Sequence, residues 1–433
     1  MDADILIKGC MILPMDGRGV IEDGAIAIED HLITYAGPGK RASKMKAEKT
    51  IDATGMVATP GLINCHTHLA MTLFRGIAED QPLDKWLAET IWPLEAKLKP
   101  SDIYCGSLLG CLEMMKSGTT CFADMYFHEE KVAEAVQKAG IRGVLAPGLL
   151  ETLSKDLAEE TLKQTIQFAK RYHQPNSTIT IQLGPHAVYT CSLDFLKKVR
   201  ETANRHTLGV HIHLAESEEM AKQIKKKHNQ TETQLLDAIG FLGPDALAAH
   251  CIHLNREDMR TLAQNDVKIA YNPVANMKLA QGTAKIPDLQ RLGITIGLGT
   301  DGPASNNTLD MLQNMKIAAL LQKAYCKDPT VLPARAMLEM ATIGAAKALG
   351  LEETIGSLEQ GKKADIVLID LKKPHLTPLH NPYASIVYSA NGSDVHSVIV
   401  NGTMLMENRE VKALNEEEIM EKARETASNL LKR

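Results

Sequence analysis

Apolar runs of the kind that form buried strands recur through the middle of this chain. They begin near Leu62, Thr119, Gly143, Ile179, Gly209, Leu247, Lys268 and Ile294, with helical patterns between them. Parallel strands need crossover connections, so strands alternating with helices read as a parallel sheet. Eight such units between about 60 and 350 predict an α/β chain organised as a closed (β/α)8 TIM barrel. An open doubly wound sheet alternates in the same way, but no Gly-x-Gly-x-x-Gly turn follows the first run.

Both chain ends are strand-rich instead. Asp4-Ile5-Leu6-Ile7 and Ala25-Ile26-Ala27-Ile28 are β-type runs, with Asp23-Gly24 and Gly37-Pro38-Gly39 read as turns. Near the other end, Ala364 to Ile369 and Val395 to Val400 are strands, and Asn401-Gly402 predicts a hairpin into Thr403 to Met406. Neither end has enough strands for a stable sheet alone. We therefore expect residues 1–58 and 355–412 to build one small β-sandwich domain, residues 59–354 the barrel, and residues 413–433 a C-terminal helix. Asn415 with Glu418 marks the start of that helix, and Lys432 and Arg433 suit its C-terminal dipole. Ser101 is expected to cap a helix running to Lys116. The first barrel interval is the longest. It contains Trp86, Trp92 and Glu95, and an added loop at this end of a barrel commonly covers the site.

Composition narrows the function. The chain has 433 residues, 44% hydrophobic and 23% charged, which excludes a wholly disordered protein. The 48 basic and 53 acidic residues leave a net charge of −5, so nucleic acid and anionic membrane are not expected partners. No apolar run reaches the roughly 18 residues of a membrane span, and the N-terminus lacks a basic, then apolar, leader. Eight cysteines without a Cys-x-x-Cys pair read as scattered buried thiols, and the expected location is cytoplasmic.

The chemistry lies at the ends of the predicted barrel strands. His66 and His68 alternate on the first strand and so face one side. His211 and His213 do the same on the fifth, with Glu216 following. His213 lies nearer the strand end, while His211 is a layer deeper and reads as structural. The sixth strand ends at His250, and the eighth leads through Gly299 to Asp301 and Gly302. Three imidazoles (His66, His68, His213) and one carboxylate (Asp301) suit Zn²⁺ with an open position, with Fe²⁺ or Mn²⁺ as substitutes. Such an ion brings the pKa of water from 15.7 to about 7. Asp301 and His250 are placed to steer a proton, and Glu216 to protonate a leaving group. No Gly-x-Ser-x-Gly elbow or P-loop is present, and the His-x-Glu with Pro-Cys-x-x-Cys pattern of small zinc deaminases is absent.

Pro60-Gly61-Leu62-Ile63-Asn64-Cys65-His66-Thr67-His68, His213-Leu214-Ala215-Glu216, Asp301 and Gly361-Lys362-Lys363-Ala364-Asp365 together resemble the amidohydrolase superfamily over essentially the whole chain. His213-x-x-Glu216 with His250 implies its mononuclear deaminase branch, and no lysine stands at the end of the fourth strand to bridge two metals. Trp86, Glu95 and Gly184-Pro185-His186 resemble the 5′-methylthioadenosine/S-adenosylhomocysteine and 5′-deoxyadenosine deaminase family. The resemblance implies that Glu95 holds the ribose hydroxyls, that His186 contacts the nucleoside and that Trp86 lies against the substrate, with Glu216 and Asp301 also reaching it. It further implies a homo-oligomer, a tetramer or dimer. Some members use arginines near the third strand toward the 5′ substituent. Here only Arg142 is present, at the strand start and away from the site, so a smaller or uncharged 5′ group is at least as well suited as homocysteine. Two alternatives remain open at this point. One is the same site acting on guanine, cytosine or a triazine, which lack the diol that Glu95 would hold. The other is a barrel that has lost catalysis and serves as a scaffold.

Overall fold

The computed structural model describes residues 2–152, 154–175 and 177–433. Eight parallel strands form the central sheet: Leu62–Thr67, Thr119–Tyr126, Arg142–Leu149, Ile179–Pro185, Gly209–Leu214, Ala246–His250, Lys268–Tyr271 and Ile296–Leu298. They lie in chain order, and the Asp301 N–H donates to the His66 carbonyl at 2.9 Å, tying the last strand end to the first. The expected barrel is thus present, with every strand start within a few residues of its apolar run. Helices such as Glu129–Ala139, Lys155–Tyr172 and Leu193–His206 return the chain outside it. Their buried faces repeat at helical spacing, as Val132, Ala133 and Val136 do.

The chain ends share a second sheet of nine strands. Its order is Glu410–Val411, Thr403–Glu407, Val395–Val400, Ile366–Asp370, Met56–Pro60, Asp2–Ile12, Ile21–Glu29 and Leu32–Pro38, with Lys46–Asp52 also paired to Asp2–Ile12. The sheet curls around its own core. Ile33 donates to the Lys362 carbonyl at 2.9 Å, and Ile7, Ile26, Ile33, Ile366 and Ile399 pack in one cluster. The predicted hairpin forms with Asn401 at φ 50° and Gly402 at φ 76°, the positive values that a two-residue turn of this hand needs.

Several local expectations are corrected. Asp23-Gly24 is not a turn but lies inside the strand Ile21–Glu29, where a Cβ on Gly24 would stand 2.4 Å from Ile12 Cδ1. Ser101 is not a cap. The helix is Pro100–Lys116, and the Asp102 carboxylate reaches back to accept from the Lys99 N–H at 2.9 Å. Proline fits the first helical position because its missing N–H has no partner to lose there. Asn415 does cap Glu416–Leu431, accepting from Glu418 N–H at 3.2 Å. Arg433 turns away to pair with Asp102. Seven cysteines are buried thiols, but Cys326 is exposed.

Arg142 begins the third barrel strand and points to the small domain. Its guanidinium donates to Asp365 Oδ2 at 2.8 Å through Nε and to Oδ1 at 3.0 Å through Nη2, and both side chains are buried. Asp365 also accepts from the Asn401 N–H at 2.8 Å. The Gly361–Asp365 stretch is therefore a joint between the two sheets.

Candidate active site

The C-terminal ends of the barrel strands bring the expected residues together. Nitrogens of His66, His68 and His213 lie within 4.8 Å of one another, as do ligating atoms of His66, His250 and Asp301. His68 Nε2 is 3.3 Å and His66 Nε2 3.5 Å from Asp301 Oδ1.

Each ring is held from behind. His68 Nδ1 donates to the Met125 carbonyl at 2.6 Å, and His213 Nδ1 to the His186 carbonyl at 2.9 Å. His66 Nδ1 meets His211 Nε2 at 2.9 Å, so the deeper histidine supports its neighbour, as the strand register predicts. An Nδ1 occupied in this way leaves Nε2 as a bare lone pair. His66 Nε2 is buried and makes no hydrogen bond among the described residues. A buried nitrogen left without a partner is costly unless something else meets it.

The protonation pattern agrees. Burial lowers His66 to about 4, although the facing Asp301 carboxylate pulls the other way, and burial holds His213 well below its ordinary value. Burial raises Asp301, yet the facing imidazole of His66 and the neighbouring His68 and His250 hold it below the usual carboxylate range. Neutral imidazoles beside an ionised carboxylate are the donor states that a divalent cation requires. These residues therefore fit the implied metal.

Backbone geometry aims the carboxylate. Asp301 has φ 63°, and accepts from Gly302 N–H and the Ser305 hydroxyl, each at 2.8 Å. Gly299 allows the approach, since a Cβ there would lie 2.3 Å from Asn272 Oδ1 and 3.0 Å from His66 Cβ. Asn64 locks the first strand to the eighth by accepting from Thr300 N–H at 3.0 Å.

Glu216 and His250 form a second pair, with His250 Nε2 3.7 Å from Glu216 Oε1. His250 Nδ1 donates to Asn276 Oδ1 at 2.8 Å. Burial raises the Glu216 carboxyl, opposed by His250 and reinforced by Asp301.

One cavity is lined by His68, His213, Asp301, Glu216 and His250, and equally by Trp86, Glu95 and His186. Residues 83–95 cover it, through a widened helical turn at Trp86–Ile91. Such turns are frequent at functional sites. Trp86 is buried, and its indole N–H has no partner among the described residues. Glu95 accepts from the Tyr126 hydroxyl at 2.8 Å, and burial raises its carboxyl to about 7 against that bond. His186 Nδ1 lies 3.0 Å from Thr190 Oγ1, and burial lowers the ring to about 3.

Sequence reasoning missed Tyr126, Asn276 and Ser305. Asn276 could have been found, because Asn272-Pro273 ends the seventh strand and places a polar residue one helical turn later. Tyr126 and Ser305 carry no local signal, since their partners are fixed only by the fold.

An amidohydrolase family model matches residues 57–405. A 5′-deoxyadenosine deaminase of Methanosarcina acetivorans is 47% identical over 433 residues, covering 100% of this chain and 99% of that protein. A 5-methylthioadenosine/S-adenosylhomocysteine deaminase of Desulforudis audaxviator is 47% identical over 429 residues, covering 99% of each. The crystal structure of a zinc-bound adenosine deaminase from Xanthomonas campestris superposes with a TM-score of 0.96 at 30% identity, over 100% of this chain and 99% of its own. With the barrel, the clustered donors and these matches over its full length, the chain belongs to the amidohydrolase family and is a hydrolase acting on C–N bonds.

Proposed function

We propose that this enzyme hydrolyses the exocyclic amine of 5′-modified adenosines, giving the inosine analogue and ammonia. The observation that carries the reading is the single cavity lined both by the His/Asp cluster with Glu216 and by Glu95. The named activities of the two 47% identical relatives support it.

His66, His68, His213 and Asp301 would hold one divalent ion, with zinc, the metal in the Xanthomonas structure, as the first choice. Zinc in such a set acts as a Lewis acid that brings the pKa of water to about 7. The remaining chemistry belongs to the chain. Glu216, 3.7 Å from His250 Nε2, takes one proton from the attacking water and delivers it to the ring nitrogen beside C6. His250, fixed by Asn276, orients the attacking water. Asp301, ionised and held by Gly302 and Ser305, moves the remaining proton to the departing amine. Water thus gives its oxygen to C6, one proton to the ring nitrogen and one to ammonia.

Glu95 accepts from the vicinal ribose hydroxyls, a geometry that a carboxylate suits. His186 contacts the nucleoside, and the Trp86 indole offers a flat face to it. Among the described residues, no lysine or arginine lines the cavity, whose walls include Phe127, Leu150, Leu87 and Met71. Arg142 is occupied by Asp365. An uncharged 5′ group, as in 5′-deoxyadenosine or methylthioadenosine, suits this lining better than a charged homocysteine tail.

The test is mass spectrometry of 5′-deoxyadenosine incubated with zinc-supplemented protein. The expected result is 5′-deoxyinosine with one equivalent of ammonia; an unchanged nucleoside contradicts the proposal.

A further inference from the structure

The turn that leaves the fifth barrel strand holds an alanine in a costly conformation. Ala215 has φ 50°, a left-handed value that residues with a Cβ rarely adopt. Its backbone is clamped on both sides. The carbonyl accepts from Ile252 N–H at 3.0 Å and His253 N–H at 2.9 Å. The N–H donates to Glu232 Oε2 at 3.0 Å. The next residue is Glu216.

Glu232 opens the short helix Glu232–Ala238 and is only 5% exposed. It does not line the substrate cavity. Among the described residues, the Ala215 amide is the one hydrogen-bond partner of its carboxyl. A buried carboxyl with so little compensation is expensive, and burial pushes this one up to about 7. Here that contact fixes the residue from which Glu216 departs, and with it the 3.7 Å approach of Glu216 to His250.

We propose that Glu232 is a positioning residue for Glu216, acting through the Ala215 amide and never touching substrate. The inference rests on the reading of Glu216 as the acid–base group. An acceptor is what the amide needs, so glutamine can replace glutamate, while alanine cannot.

The test compares E232Q, E232A, E232D and E216Q as metal-loaded full-length proteins, with 5′-deoxyadenosine as substrate, reading kcat, KM, zinc content and Tm. E232Q is expected to keep kcat within about threefold, because its amide oxygen still accepts. E232A should lose roughly 10- to 100-fold in kcat, as a displaced catalytic group does, with KM and zinc content little changed. If E232A does not fold, E232D decides, since it keeps the carboxylate but withdraws it by one methylene; it too should lose kcat. The E216Q/E232A double variant should be no slower than E216Q, because the two residues act as one unit. Full kcat in folded E232A or E232D, with E216Q inactive, overturns the positioning role and leaves the function intact. Equal losses in E232Q and E232A also overturn it. Full activity in E216Q removes the acid–base reading itself, and the inference with it.

Discussion

Replacing Arg142 by alanine separates a structural arginine from a substrate-binding one. The bond to Asp365 is bidentate, at 2.8 and 3.0 Å, and the side chains are 6% and 2% exposed. Without the guanidinium, Asp365 keeps, among the described residues, only the Asn401 N–H on Oδ1, and Oδ2 is left buried and bare. Breaking one side of a buried pair costs about 3–5 kcal/mol, most of it the stranded charge. At about 2.1 cal/mol/K per residue, a chain of 433 residues unfolds with an entropy near 0.9 kcal/mol/K, so Tm should fall by roughly 3–6 °C. The assay is thermal unfolding, paired with kcat and KM well below the transition. Both kinetic constants should stay within about threefold, because Arg142 lies outside the cavity. Removing the partner as well, in Arg142→Met with Asp365→Leu, should recover much of the loss, since apolar replacement of a whole pair is often neutral. An unchanged Tm, or a tenfold rise in KM with an intact fold, would refute this reasoning.

Other outcomes follow from the site. Glu216→Gln should keep its metal and lose about 10²- to 10⁴-fold in kcat, read from ammonia release beside zinc analysis. Asp301→Asn should lose both zinc and rate; full occupancy with full activity would refute its assignment. His211→Leu removes the support of His66 Nδ1 and should weaken zinc affinity about 10- to 100-fold in chelator competition. Glu95 has a carboxyl raised to about 7, so its ionised, doubly accepting form appears as pH rises through 7. Nucleoside kcat/KM should therefore climb across pH 6–8, and Glu95→Gln should flatten that limb. An unchanged limb in the variant would place the titration elsewhere.

Much of this molecule is legible in its sequence because the relevant signals are local. Barrel strands announce themselves as short apolar runs, and the i, i+2 spacing of His66 with His68 and of His211 with His213 fixes a shared face before any fold is known. Strand-end placement then separates a ring that faces the cavity from one that supports a neighbour, as it does for His213 against His211. What escapes is set by partners distant in sequence. Arg142 meets Asp365 across 223 residues, and Glu95 meets Tyr126 across 31. Turn chemistry also misleads when tertiary pairing wins: Gly24 serves a crowded strand position rather than a turn. Ser101 is passed over as a cap because Pro100 and Asp102 begin the helix without it.

The central claim is most directly tested by kcat/KM for ammonia release from zinc-loaded protein with 5′-deoxyadenosine, methylthioadenosine, S-adenosylhomocysteine, adenosine, guanine and cytosine. The account predicts turnover of the adenosine analogues alone, with the uncharged 5′ groups ahead of the homocysteine adduct. Turnover of a free base with silence on every nucleoside would contradict it.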